Sequence, residues 1–274
     1  MALPVEEQTI FVTGATDGLG RGVAADLARR GAAVLLHGRS AERGEQALAE
    51  LGAATGSERL HLYLADLASL AEVRRLAEEI EREHERLDVL VNNAGIVADR
   101  RALSQDGHEL TFAVNHLSHF LLTELLLPLL RRSAPARIVN VASIGQNPID
   151  FDDVMLERRY DGFRAYAQSK LAQIMFTIEL AERLGADGED GVTVNALHPA
   201  TLMDTKMVRQ SFGRARSSVE KGVEAVVRLA VAEDVEGVSG RYFDGLEESA
   251  AHAQAYDAEA RRRLWELSEE LTRP

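Results

Sequence analysis

Two textures alternate along the chain. Short runs with little polar interruption, at 9–13, 32–36, 60–64, 88–92, 137–142, 192–196 and 239–243, predict seven strands. Between them, the stretches 19–30, 41–51, 70–85, 103–130 and 165–184 read as helices. Continuous apolar strands separated by helices imply parallel strands covered on both faces, an α/β doubly wound sheet. No repeat, low-complexity tract or linker breaks the pattern, so residues 1–274 read as one domain. The irregular stretches 145–163 and 200–218 follow predicted strands. Such sheets bind ligands at the carboxyl ends of their strands, so both stretches are expected to border a substrate. The acidic stretch 185–191 reads as a solvated connection.

Composition narrows the functional classes. Of 274 residues 46% are hydrophobic, enough for a sizeable core. Lys and Arg number 31 against 44 Asp and Glu, a formal charge of −13, which argues against nucleic acid and anionic membrane as partners. With no cysteine, disulfides, thiolate nucleophiles and Cys-ligated metals are excluded. Residues 1–8 show no basic apolar leader, and 120–130 falls far short of a span of about 20 apolar residues. No membrane association is therefore expected, and the cytoplasm is the expected compartment.

Directly after the first strand stands Thr13-Gly14-Ala15-Thr16-Asp17-Gly18-Leu19-Gly20, followed by a helix. One glycine permits the tight turn, a second lets a ligand approach the backbone, and a third allows close helix–strand packing. The helix N-terminus attracts a pyrophosphate. In this strand–loop–helix context the loop predicts a Rossmann-type dinucleotide site. The second strand ends at His37-Gly38-Arg39, without the carboxylate that usually grips the ribose hydroxyls of NAD. Arg39 is either a partner for a 2′-phosphate, which favours NADP(H) over NAD(H), or a solvated arginine leading into a helix.

Further motifs follow in order. Asn92-Asn93-Ala94-Gly95 closes the fourth strand, and Asn115 lies in Asn-His-Leu-Ser-His-Phe120. Ser143 follows the fifth strand, Tyr166 and Lys170 form Tyr-x3-Lys, and His198-Pro199 follows the sixth. Random placement of five Tyr and three Lys would give only about 0.05 Tyr-x3-Lys pairs. Across residues 9–243 the chain resembles the short-chain dehydrogenase/reductase family. The segments 150–153 and 159–170, Ser239-Gly-Arg-Tyr-Phe243 and the tail around Trp265 are similar to its retinol dehydrogenase-like branch. Many members of that branch carry an N-terminal membrane anchor, which is not expected here. The branch usually has His-Pro-Gly after the sixth strand, where this chain has His198-Pro199-Ala200. Both Ala200 and the atypical 201–205 lie beside the expected substrate pocket. They separate retinoid specificity from hydride transfer.

The resemblance implies an oxidoreductase that interconverts a carbonyl and an alcohol on a moderately apolar small molecule. Tyr166 would be the acid/base and NADPH the hydride donor. A free tyrosine titrates near 10, so it holds its proton at pH 7. Lys170, one helical turn on, would favour the phenolate and hold the nicotinamide ribose. Ser143 would steady the substrate oxygen, and Asn115 would position a water that relays protons. Thr16, Asp17, Leu19 and the three loop glycines would hold the pyrophosphate. Asp66 and Leu67 would sit beside the adenine, Asn93, Ala94 and Gly95 under the adenosine ribose, and Pro199 and Thr201 beside the carboxamide. For Asp66 a place in a helix lead-in stays open, and for Asn115 a purely structural role. The helices at 103–130 and 165–184 are the surfaces through which the family commonly forms dimers or tetramers, though their periodicity fits a buried core equally. His37, His61, His84, His108, His116, His119 and His252 show no metal-ligand spacing, so no metal is expected, and His116 and His119 read as packing or surface residues. A cofactor-retaining epimerase or dehydratase and a non-enzymatic NADP(H) sensor are the competing readings.

Overall fold

The computed structural model describes residues 2–185, 191–211 and 213–274. Within them the chain runs β1 (Thr9–Val12), α1 (Gly18–Arg29), β2 (Ala33–Gly38), α2 (Ala41–Thr55), β3 (Leu60–Leu64), α3 (Leu70–Glu83) and β4 (Val89–Asn92). A short α4 (Leu110–Phe112) passes through a π-helical turn, Ala113–Leu117, into α5 (Ser118–Arg132). Then follow β5 (Ala136–Val141), α6 (Gly162–Arg183), β6 (Val192–His198), α7 (Lys206–Ser211), α8 (Val219–Val231), β7 (Tyr242–Asp244), β8 (Glu247–Glu248) and α9 (Ala258–Leu271). The strands form one sheet in the order β3-β2-β1-β4-β5-β6-β7-β8. All neighbours are parallel except β7 and β8. The order reverses between β1 and β4, which opens a crevice at their carboxyl ends.

Alternation within each strand feeds two cores. Ile10, Val12, Val34, Leu36, Val89 and Val91 face α1 and α8, whereas Phe11, Leu35 and Leu90 face α3, α5 and α6. Burial on both faces is what leaves the strands continuously apolar. Helix starts follow capping chemistry: the Asp17, Ser40, Ser69, Asp161 and Asp257 side chains each accept a backbone N–H of the first turn.

Several expectations need correction. The seven expected strands are present, and the eighth, β8, is a two-residue antiparallel strand at the edge. Residues 103–109 are not helical. Leu103 bridges Glu109 across a turn at Gly107, whose φ is +84°, and the Glu109 carboxylate caps α4 by accepting from Thr111 and Phe112. Leu110–Arg132 is long and apolar enough to cross a membrane by length and composition, but 83% of its most apolar window is buried in this fold. Helices α8 and α9 were not anticipated. Trp265 of α9 packs on Phe120 and Phe176 with ring centroids 5.0 and 5.8 Å apart, so α9 covers α5 and α6 from within the chain. The expected solvated connection at 185–191 lies largely outside the described residues.

Candidate active site

The crevice is built first by the loop after β1. Gly14 has φ +66°, and a Cβ there would stand 3.0 Å from the Ala94 Cα. A Cβ on Gly20 would collide with Asn93 Nδ2 and the Gly14 carbonyl. The start of α1 is therefore pressed onto the loop after β4, as close packing at the third glycine requires. Leu19 is buried beneath the turn, and Asp17 accepts the Gly18 N–H at 2.7 Å. Thr16 packs over Gly38, at the end of β2.

Three side chains brace this loop, two of them without an assigned role in the sequence reading. The Thr13 hydroxyl accepts the backbone N–H groups of Asn93 and Ala94, both at 2.9 Å. Asn93 Nδ2 returns a bond to the Thr13 carbonyl at 2.7 Å. His37, 3% exposed, accepts the Gly14 N–H at Nδ1 (3.1 Å) and donates from Nε2 to the Ala65 carbonyl (3.0 Å). Burial lowers its pKa to about 4, so the ring is neutral and keeps this tautomer. It joins the glycine loop to the strand end just before Asp66, a role the sequence alone does not assign. Asp66 Oδ1 accepts the Ala68 N–H at 3.0 Å, the lead-in alternative, ahead of Ser69 as the cap of α3. Leu67 is buried beside it. Arg39 is exposed just beyond β2, with no ion pair among the described residues. Arg43, in the first turn of α2, lies 3.7 Å from Asp17.

The reactive groups meet at the ends of β4, β5 and α6. A Cβ on Gly95 would stand 3.5 Å from both Asn115 Oδ1 and Lys170 Nζ. Lys170 donates to the Val141 carbonyl at 2.7 Å and to Gln173 Oε1 at 2.8 Å, and its Nζ lies 5.7 Å from the centre of the Tyr166 ring. Burial draws Lys170 down to about 7. Burial also pushes Tyr166 up, while a hydrogen bond with the Ser143 hydroxyl opposes it, so the phenol keeps its proton at neutral pH. The π-helical turn carries Asn115 into this group, but its carboxamide has another task. Oδ1 accepts the Ile96 N–H at 2.8 Å, and Nδ2 donates to the Ile96 carbonyl (3.0 Å) and to Ser169 Oγ (2.9 Å). With both amide hydrogens engaged, the side chain pins the loop after Gly95 and has none left to donate to a relay water.

Beyond β6, Pro199 is buried against α8, and Thr201 Oγ1 lies 3.1 Å from His198 Nε2. The segment then folds back so that Thr205 packs over Gly18. On the opposite side, a cavity of about 290 Å³ is lined by Ile144, Gln146, Tyr242, Asp244 and His252. The Ser143 carbonyl accepts from Gln146 and Tyr242, both at 3.1 Å, so this cavity borders the serine. Ile144, in its lining, remains 56% exposed, and Phe163, whose ring lies beside Gly145, 55%.

A parallel sheet with a glycine loop at its switch point, and a Ser–Tyr–Lys group beside that loop, define a dinucleotide-fold oxidoreductase. The family model for short chain dehydrogenase matches residues 8–215. Human retinol dehydrogenase 13 is 42% identical over 282 residues, covering 96% of this chain and 84% of its own length. The chain belongs to the short chain dehydrogenase family. Among solved structures, a protein from Mycobacterium paratuberculosis aligns with a TM-score of 0.79 at 32% identity, covering 97% of this chain and 93% of its own. A short chain dehydrogenase from Escherichia coli CFT073, complexed with NADPH, aligns with a TM-score of 0.71 at 27% identity, covering 87% and 96%.

Proposed function

We propose that the chain is an NADP(H)-dependent oxidoreductase that interconverts a carbonyl and an alcohol on a moderately apolar small molecule. The observation that carries the reading is the convergence of Ser143, Tyr166 and Lys170 beside a loop that glycine alone can form. Bound NADPH supplies the hydride. The protonated Tyr166 donates its proton to the substrate oxygen. Ser143, already hydrogen-bonded to that phenol, steadies the charge developing on the same oxygen. The Lys170 ammonium then stabilises the phenolate left behind.

Arg39 supports the choice of NADP(H). It is exposed at the end of β2, free of ion pairs among the described residues, and close in sequence to Arg43. The NADPH complex of the Escherichia coli relative supports the same choice. Exposed Ile144 and Phe163 favour an apolar substrate, and so does the name of the human relative. Ala200, in place of the usual glycine, keeps retinol itself out of the proposal. A homo-oligomer, if formed, would have to use surfaces other than those α9 covers, and light scattering reads its mass directly.

Titration with NADPH and NADH, followed by nucleotide fluorescence, tests the reading. Tighter binding of NADPH is expected, with the preference lost in Arg39→Ala. Binding of neither nucleotide overturns the proposal.

A further inference from the structure

A continuous buried chain of side chains leads away from Lys170. Its ammonium donates to Gln173 Oε1 at 2.8 Å, and Gln173 Nε2 lies 3.2 Å from His119 Nδ1. His119 Nε2 lies 3.2 Å from Thr13 Oγ1, which in turn accepts the Asn93 and Ala94 N–H groups. Lys170 is 4% exposed, Gln173 and His119 are each 1%, and Thr13 is 0% exposed. Three secondary-structure elements, α6, α5 and the end of β1, are thus joined by direct side-chain contacts.

We propose that Gln173 and His119 are positioning residues that tie the Lys170 ammonium to the Thr13 brace of the nucleotide loops. Loop geometry and lysine charge then change together.

The direction of each bond follows from the charge at one end. An ammonium turns the Gln173 oxygen toward itself, which points the amide N–H at His119 Nδ1 and makes that nitrogen an acceptor. The proton of the ring then sits on Nε2, where it competes with the Asn93 and Ala94 N–H groups for the two lone pairs of the Thr13 hydroxyl. The Asn115 carbonyl, 3.1 Å from Nδ1, offers the other tautomer a partner, so a charged Lys170 selects between the two. Burial lowers the pKa of His119 to about 3, so the ring is neutral throughout and transmits orientation without charge. Among the described residues, the titratable groups facing Lys170 are Tyr166 on its own helix and His119 from α5. From β5 and the loop after β4 it meets the Val141 carbonyl and Gly95, with Asn115 Oδ1 beside that glycine. None is a carboxylate, so Gln173 is the side-chain acceptor that holds the ammonium.

The experiment uses the three lysines of the chain, of which Lys206 and Lys221 are exposed and Lys170 is buried. In lysine-labelled full-length protein, the Lys170 side-chain signal is titrated by NMR alongside NADPH affinity. Gln173→Glu is expected to raise the Lys170 midpoint by at least about one pH unit, since an opposite charge favours the ammonium. Gln173→Leu and the shorter Gln173→Asn are expected to lower it. Thr13→Val, at the far end of the chain, is expected to move the same signal and to change the balance between the two His119 tautomers. A Lys170 midpoint that stays put in folded Gln173→Glu and Gln173→Asn overturns the proposal. So does a Thr13→Val variant that leaves both signals unchanged. The inference draws its catalytic meaning from the oxidoreductase reading. Failure of the unaltered protein to bind NADPH would overturn that reading, while the lysine titration still judges the linkage.

Discussion

The two sides of the crevice are built differently. On the nucleotide side, Thr13, His37 and Asn93 cross-link the ends of β1, β2 and β4 through partly buried bonds, and Gly14 and Gly20 leave no room for a side chain. On the substrate side, Ile144, Phe163 and Tyr256 stand 56%, 55% and 52% exposed, held by surface contacts such as the Tyr256 hydroxyl accepting the Ala251 N–H. One side is set for a ligand of constant shape. The other presents exposed apolar faces, a division expected where loops carry specificity on a rigid scaffold.

Tyr166 stands between the two sides, and its loss gives the largest effect. Tyr166→Phe is expected to lower turnover by about 10²–10⁴-fold, the usual contribution of a positioned acid or base. NADPH affinity should be retained. Single-turnover absorbance of NADPH and fluorescence titration check the two halves separately.

On the nucleotide side, His37→Leu leaves the Gly14 N–H and the Ala65 carbonyl without their partner. A loss of about 1–3 kcal/mol in stability is expected, together with weaker NADPH binding. Denaturant unfolding and the nucleotide titration would show both changes, and a change in neither would mean that the bridge does not hold the loop.

The same histidine gives a smaller, pH-bounded effect. Its folded pKa of about 4 lies below the ordinary histidine value of 6.5, so the unfolded chain binds more protons between those limits. Its contribution therefore declines as pH falls from 6.5 to about 4 and is flat below. Unfolding free energies of the unaltered protein and His37→Gln, compared across that window, should differ by a margin that narrows toward acid.

The smallest effect on stability belongs to the substrate side. Phe163→Ala removes an exposed ring and is expected to change stability by no more than about 0.5 kcal/mol. It should still raise KM for apolar carbonyl compounds relative to small ones. Equal losses for both would remove Phe163 from the substrate surface.

The alternation of strands and helices was legible because burial on both faces imposes an unbroken apolar run on every parallel strand. The glycine loop was legible because its backbone admits no other residue. Tyr166 and Lys170 were legible because both lie on one helix at a fixed interval. The turn at 103–109 was misread because its apolar residues continue into α4, whereas Gly107 and the Glu109 cap set the boundary. His37, His119 and Gln173 carried no local signal. The partners that give them meaning come from other elements: the contact between Thr13 and His119 spans 106 residues, and that between His119 and Gln173 spans 54. Spacing rules see neighbours along a helix or strand, and these contacts arise only when the sheet has closed.

Helix α9 adds an order in time. A chain synthesised as far as β8 already contains the glycine loop, Ser143, Tyr166 and Lys170. It still lacks Trp265 against Phe120 and Phe176, and Arg261 against Glu179 and Glu182. Until α9 is in place, the flank of the helix bearing Tyr166 and Lys170 that Trp265 and Arg261 cover stays open to solvent. Every reactive group is thus translated before the layer that shields its supporting helix.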